Sequence, residues 1–460
     1  MGRHEVSASA ARGAAVESSR AARLGVAATL AVVFTLLYAV TLAGSDAIFE
    51  KGIRSFFWSD VGEWAFATQI GAVRGDLGLE ELALPPYTRG GAPPPDFARH
   101  WELKRSKHPL FAAASHWVYR AVRAAARPFA AGGDARKGWT YRHERIALKF
   151  PSALFGGLAT AGFFWMASAY AGAGTALLFA LFFGVSFGKW FFASVPDSYS
   201  LQALLSVGFA AQLFASGRSL AALAGLAATT VAAIFIGVNN VLLVPVGAAW
   251  LILEERRRDA IAYAAITGVA VVAAYGAMTL LVEDSVTLGG TIDLVSRQVE
   301  AFSQRSSVEV GGPLVKLAFS LVGFSLVGVA AAPAAEELYH SFAVLGAYAT
   351  SPLSLAFLVS YAALFGVIVH RLVTGPPVPR ESQNRLMTLA LWVGALLLYY
   401  SQFNALQTIL YTSLFLVPFV ALLCEGFALR PASRVEFALL GALVATTLAS
   451  NLVFLRQFVP

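Results

Sequence analysis

The sequence contains an uncharged run of twenty residues, LGVAATLAVVFTLLYAVTLA, which extends from Leu24 to Ala43. A helix needs about 20 apolar residues to cross the roughly 30 Å hydrocarbon core of a bilayer. The run is continuous rather than alternating, which favours a helix over a barrel strand. Four arginines lie in residues 1–23, so we predict an uncleaved first membrane helix with a cytoplasmic N-terminus. A signal peptide, the competing interpretation, has a shorter apolar region.

Apolar runs recur along the whole chain. The composition is 57% hydrophobic and only 13% charged, whereas soluble domains have about 25% charged residues. We therefore predict an all-α polytopic membrane protein. Further spans are predicted at about 148–170, 173–194, 199–216, 219–236, 239–253, 260–282, 313–333, 352–370, 386–401, 405–424 and 435–455. The net charge of +7 is attributed to cytoplasmic Lys and Arg rather than to nucleic-acid binding, and the single cysteine excludes an intrachain disulfide.

The arginines predict the topology. The run Glu254–Arg258 marks a cytoplasmic turn, so the loop 44–147 and the turn at 195–197 are expected outside. If 313–333 crossed the membrane once, the arginines between 371 and 385 would fall outside, against the positive-inside rule. If that segment instead enters and returns, or a second crossing lies in 338–351, these arginines fall inside. We favour the second arrangement, with 11 or 13 crossings and an external C-terminus.

The first external loop carries two short motifs. The stretch FFWSDVGEWAF at 56–66 places Asp60 and Glu63 three residues apart, so both carboxylates share one face of a helical turn. The motif KHPLF follows at 107–111, and residues 110–129 have the pattern of an amphipathic helix. Its three arginines argue against a crossing and predict a helix on the membrane surface.

Together these motifs resemble the GT-C class of membrane glycosyltransferases, which includes the protein O-mannosyltransferases of glycosyltransferase family 39 and the aminoarabinose transferase of lipid A. The resemblance is carried by SDVGE at 59–63, KHPLF at 107–111 and RIALKFPSALFGG at 145–157, and it covers about residues 24–260. The chain departs from the family where its two acids are not adjacent and where its histidine motif has a single proline. The resemblance implies a GT-C-like bundle of about 11–13 transmembrane helices with amphipathic interfacial helices in the first external loop.

The resemblance also implies a division of the chain. Residues 1–23 would form a cytoplasmic basic tail, and residues 24–282 a catalytic transmembrane module that includes the loop. Residues 283–460 would form a further external loop and C-terminal transmembrane helices.

The implied activity is transfer of a sugar from a polyprenyl-phosphate donor to a glycan, lipid or protein acceptor. It would take place at the outer face of the bacterial cytoplasmic membrane, among membrane lipids. Asp60 is the candidate general base, and Glu63 would orient the acceptor or tune Asp60. The alternative is that both are solvated loop acids or a helix-capping pair.

Five residues are candidates for substrate binding: His108, Lys107, Arg145, Asp197 and Tyr199. The histidine and the two cations would bind the donor phosphate or the acceptor, and the other two would line the sugar pocket. The alternatives are an interfacial histidine before a helix-starting proline, cations that attract anionic lipid headgroups, and an aspartate that caps a helix.

Two further features leave alternatives open. Asn239 and Asn240 interrupt an apolar run and predict either a substrate contact or hydrogen bonds between helices. No metal motif is evident, although Asp60, Glu63 and Asp197 could together hold a divalent cation, and no other cofactor is expected.

Two other functional classes compete with the glycosyltransferase. A transporter or flippase of lipid-linked sugars is expected to carry polar residues near the membrane centre, at broken helices. The polar residues of this chain lie between the apolar runs, which favours chemistry at the surface. The remaining alternative is a non-catalytic protein of envelope assembly.

Overall fold

The computed structural model describes residues 2–41, 109–130, 141–195, 197–215, 217, 219–281, 296, 326, 352–403 and 408–456. Within these residues every regular element is a helix. The helices are α1 (Gly2–Val40), α2 (Pro109–Ala130), α3 (Tyr141–Ala167), α4 (Ala173–Val185), α5 (Phe187–Ser194), α6 (Tyr199–Phe214), α7 (Leu220–Ile236), a 3-10 turn (Val238–Leu242), α8 (Leu243–Leu253), α9 (Arg257–Leu281), α10 (Pro352–Thr374), α11 (Arg380–Phe403), α12 (Thr408–Ala428) and α13 (Arg434–Arg456).

Five of the described helices are long and apolar enough to cross a membrane, in α1, α3, α9, α10 and α13. The bent pair formed by α4 and α5 makes a sixth if it is counted as one span. The other apolar stretches are shorter: α6, α7, α8 with its preceding 3-10 turn, and Ser413–Ala428 within α12. The prediction of an all-α membrane protein is confirmed, while the GT-C arrangement and the 11–13 crossings stay predictions.

The first helix extends further than expected. The apolar run predicted a helix from residue 24, whereas α1 begins at Gly2, so the segment described as a basic tail is helical in its backbone. The part of α1 that meets the criteria for a membrane span is Arg20–Val40.

Small residues allow α1 and α3 to pack closely. A Cβ atom added to Gly157 would lie 2.2 Å from Thr35 Oγ1 and 2.5 Å from the carbonyl oxygen of Ala31. The second atom belongs to the backbone of α1, so it cannot rotate away. Membrane helices associate largely through such close van der Waals packing.

A Gly157→Val substitution is expected to separate α1 from α3 and to destabilise the protein by about 1–3 kcal/mol. The measurement is the unfolding midpoint of the purified protein in detergent. Gly268→Val on α9 is the matched control, because a Cβ atom at Gly268 meets nothing within 4 Å. Equal losses in the two variants would contradict the packing argument.

One end of the bundle gathers the arginines. Arg380, which begins α11, forms an ion pair with Glu255, and Asn384 Nδ2 donates to Glu254 Oε1 at 2.8 Å. The Arg380 guanidinium lowers the pKa of the Glu255 carboxyl by hydrogen bonding to it. The turn between α10 and α11 therefore lies beside the turn between α8 and α9.

Both turns are rich in arginine, so this basic end corresponds to the predicted cytoplasmic face. Helix α9 begins there and α10 ends there. The end of α9 and the start of α10 then both lie at the opposite end, while the sidedness of the bundle stays a prediction. We call that opposite end the outer end.

Candidate functional site

The predicted loop residues Asp60, Glu63, Lys107 and His108 lie outside the described residues, and their roles stay predictions. Arg145 lies in the first turns of α3, but its side chain is outside the described part of the structure. Evidence about the site therefore comes from the outer end of the bundle, where the loop is attached.

The start of the loop is held by α3 and α5. Thr41, the last described residue before the loop, accepts a hydrogen bond at its carbonyl oxygen from Lys149 Nζ at 2.9 Å. Its hydroxyl accepts a second bond, from Trp190 Nε1 at 2.9 Å. Lys149 is buried and serves in part as this tie.

The second half of the loop contains helix α2, which begins at Pro109 as the motif predicted. Helix α2 packs on α3 and α7, and Phe111 is buried in a small cluster with Phe155, Leu201 and Ile236. The residue before the loop and helix α2 within it are thus both attached to the bundle, and both contact α3.

The opposite face of α2 is open. Trp117 is 68% exposed. The guanidinium carbon of Arg120 lies 5.8 Å from the centroid of the Trp117 ring. A buried face and an exposed face with Trp and Arg agree with the predicted amphipathic helix.

Asp197 is buried in the turn between α5 and α6, with 1% of its surface exposed. Its backbone is held by Ser152 of α3, whose hydroxyl donates to the Asp197 carbonyl and accepts from the Asp197 N–H, both at 3.1 Å. Its carboxylate oxygen Oδ1 accepts from the Tyr199 N–H at 3.3 Å and from Ser198 Oγ at 3.4 Å. Asp197 thus accepts from the first N–H of α6, whereas the N-cap residue of that helix, Ser198, makes no side-chain capping bond. The Asp197 carboxylate is enclosed by protein rather than solvated.

Hydrogen bonds continue from this turn into the bundle. Gln202 Nε2 donates to Ser198 Oγ at 2.9 Å, and Asn240 Nδ2 donates to Gln202 Oε1 at 3.2 Å and to the Ala233 carbonyl at 2.9 Å. We call this set the polar chain: Ser152, Asp197, Ser198, Gln202 and Asn240.

The neighbouring Asn239 makes a separate link. Its Nδ2 donates to the Tyr400 hydroxyl of α11 at 3.0 Å. Of the two interpretations of the asparagine pair, hydrogen bonding between helices is confirmed. Ser152, Gln202 and Tyr400 were not predicted, because isolated polar residues in apolar helices give no motif.

Tyr199, the other predicted residue of this turn, begins α6 beside Asp197. It is half-buried, and its ring centroid lies 4.6 Å from that of Phe192. The structure therefore brings Asp197 and Tyr199 together at the outer end.

Lys189 of α5 was not predicted and is fully buried. Its ammonium has no hydrogen-bond partner among the described residues and lies 5.6 Å from the centroid of the Phe183 ring. It follows a 57° bend between α4 and α5 that interrupts the span predicted at 173–194. The inference that polar residues are confined to the loops is therefore wrong. The small residues Gly184 and Gly188 on either side of the bend were the available signal.

Within the described ranges, no group of three His, Cys, Asp or Glu side chains is placed to hold a metal ion. The divalent site considered from the sequence needs Asp60 and Glu63, which fall outside those ranges, in addition to Asp197.

No protein-family model matches the sequence, and the comparison with curated proteins finds no match. The resemblance to GT-C glycosyltransferases thus depends on the motifs and on the layout of the chain.

Proposed function

We propose that this protein transfers a sugar from a polyprenyl-phosphate donor to the hydroxyl of a glycan, lipid or protein acceptor at the outer membrane-water interface. In the reaction, the acceptor oxygen forms a bond to the anomeric carbon, the bond from that carbon to the phosphate oxygen breaks, and the acceptor proton passes to a base. The lipid phosphate is the leaving group.

The observation that carries this proposal is the enclosed carboxylate of Asp197 at the outer end. Buried carboxylates are costly and concentrate at functional sites. The loop with Asp60 and Glu63 follows Thr41, which is bonded to α3 and α5, and both of these helices also adjoin Asp197. This attachment supports a site in which the loop acids lie over Asp197.

In this site Asp60 would accept the proton and Glu63 would orient the acceptor. His108, Lys107 and Arg145 would bind the phosphate, whose negative charge grows as the bond breaks. Asp197 and Tyr199 would bind sugar hydroxyls. The exposed Trp117 face of α2 suits the membrane interface, where the lipid donor lies.

A second candidate function is favoured by a different observation. A transporter or flippase of lipid-linked sugars is expected to have a broken helix with a charged residue inside the membrane. The bend between α4 and α5, with the enclosed Lys189, is such a feature.

The test of sugar transfer is an Asp197→Asn variant. Asparagine caps helices as well as aspartate does, so the turn is expected to stay folded while the charge is lost. We expect transfer from radiolabelled undecaprenyl-phosphate sugars in membranes to fall by about tenfold or more, since hydrogen bonds to a charged acceptor are the stronger ones.

The control is Asp259→Asn, which removes an acid at the basic end that is paired with Arg256 at 2.7 Å. A wild-type protein that flips a fluorescent lipid-linked sugar across liposomes, and transfers none to acceptors, would favour the transporter. If the Asp197→Asn variant were as active as wild type, Asp197 would have only a structural role at the start of α6.

A further inference from the structure

The break between α4 and α5 is built into the packing. The two helices are separated by Ser186 alone, and their axes diverge by 57°. The carbonyl groups freed by the break have partners on other helices: the Tyr38 hydroxyl donates to Gly184 O and Asn451 Nδ2 donates to Val185 O, both at 2.7 Å. The negative end of α4 is thus satisfied by α1 and α13.

The N-terminus of α5, which is the positive end of its dipole, has no capping partner among the described residues. Ser186 precedes α5 but makes no capping bond, because its hydroxyl donates to Phe182 O at 2.6 Å. The N–H groups of Phe187 and Gly188, in the first turn of α5, have no acceptor within their own helix. The start of α5 therefore presents uncapped donors and the positive end of a helix dipole.

Lys189 adds a basic side chain to the same turn. Lys189 is 0% exposed, and its Nζ has no hydrogen-bond partner in the described part of the chain. Nζ lies near the ring of Phe183, in the last turn of α4, so the side chain reaches back across the break. A buried basic side chain and the uncapped start of a helix thus belong to the same turn, the first turn of α5.

Buried ammonium groups are expensive unless they are paired with an anion. Leu326 lies at the break, since its carbonyl oxygen accepts from Asn451 Nδ2 at 3.0 Å. The apolar run 313–333 around it has no acidic residue and one lysine, Lys316. That run therefore brings no carboxylate to Lys189.

We propose that the break between α4 and α5 is an intramembrane phosphate-binding site, in which Lys189 and the first-turn N–H groups of α5 hold the phosphate. Lys189 lies about 7 Å from the outer end of α5, at 1.5 Å per residue. The phosphate belongs to a membrane lipid or is free in solution. Because Lys189 is enclosed, entry requires α5 to shift relative to α4 about Ser186. The proposal does not depend on sugar transfer, because binding is measured without a donor sugar.

The experiment measures thermal unfolding of the full chain in phosphatidylcholine nanodiscs. The probes are undecaprenyl phosphate, the uncharged undecaprenol, and inorganic phosphate. A phosphate that binds the folded state raises the unfolding midpoint. The variants are Lys189→Met, Lys189→Gln and Lys189→Arg. The matched control is Lys149→Met, which removes a buried lysine that already has an acceptor in Thr41 O.

We expect Lys189→Met and Lys189→Gln to lower the apparent affinity for phosphate by about tenfold or more, while Lys189→Arg and Lys149→Met keep it. If only undecaprenyl phosphate raises the unfolding midpoint, the ligand is a lipid. If inorganic phosphate raises the midpoint as well, the ligand is a free anion. Without any probe, Lys189→Met is expected to be at least as stable as wild type, because an unpaired buried charge is removed.

Three results would overturn the proposal. The first is that wild type responds to neither phosphate probe. The second is that undecaprenol stabilises as much as undecaprenyl phosphate. The third is that Lys189→Met unfolds at a lower temperature than wild type without any probe, because Lys189 would then have its anionic partner within the chain.

Discussion

An Asp60→Asn variant is expected to transfer sugar about 10²–10⁴-fold more slowly than wild type, which is the usual contribution of a general base. Asparagine has nearly the same shape as aspartate, but its amide cannot take up the proton from the acceptor hydroxyl. The measurement is the initial rate of transfer from an undecaprenyl-phosphate sugar in membranes, with folding checked by gel filtration in detergent.

A Glu63→Gln variant distinguishes the role of Glu63 from that of Asp60. If Glu63 orients the acceptor, this variant is expected to raise KM more than it lowers kcat, whereas Asp60→Asn lowers kcat. A folded Asp60→Asn protein with the wild-type rate would make Asp60 an ordinary loop acid, and the proposed mechanism would be wrong.

The second large effect is expected at Arg371, near the end of α10. Its guanidinium makes a two-point contact with Glu436 of α13, with Nη2–Oε2 at 2.8 Å and Nε–Oε1 at 3.2 Å. Its Nη1 donates to Arg430 O at 2.9 Å and also to Phe427 O, and its Cζ lies 4.5 Å from the centroid of the Phe427 ring. This one side chain joins α10, α12 and α13.

An Arg371→Met substitution is expected to destabilise the protein by about 1–3 kcal/mol, because it removes the two-point contact with Glu436 and leaves the Phe427 and Arg430 carbonyl groups without this donor. Arg371→Lys is expected to recover only part of the loss, since an ammonium cannot make the two-point contact. The measurement is unfolding in detergent with increasing denaturant.

The control is Arg380→Met. The side chains of Arg380 and Glu255 are both exposed, so losing their ion pair is expected to leave the unfolding midpoint unchanged. Adding Glu436→Gln to Arg371→Met tests the pairing itself, because the double variant is expected to lose less than the sum of the single losses. Purely additive losses would show that the two side chains do not interact.

Hydropathy predicted most helices close to their observed bounds. The amphipathic helix expected at 110–129 is α2, Pro109–Ala130, and the helix expected at 219–236 is α7, Leu220–Ile236, whose crossing of the membrane stays a prediction. These succeeded because apolar runs, charged turns and a helix-starting proline are local signals. The span expected at 173–194 is broken at Ser186, because the run is apolar on both sides of the bend and hydropathy does not register a change of direction.

The candidate site was predicted only in part. Asp197 and Tyr199 were expected at one turn, and the structure places them there side by side, with Asp197 Oδ1 accepting from the Tyr199 N–H; that the turn is external stays a prediction. Gln202 and Ser152 were missed because each is a single polar residue in its helix. Their significance lies in partners that are distant in sequence, such as the 45 residues between Ser152 and Asp197.

The sequence by itself determined that this is a helical membrane protein and where most of its helices begin and end, because crossing a bilayer imposes a length and a composition that are visible along the chain. Only the tertiary structure decided that Asp197 is enclosed, that the asparagine pair joins helices, and that Lys189 lies at a break inside the bundle. Burial and hydrogen bonding depend on which helices become neighbours, and hydropathy along the chain carries no record of those neighbours.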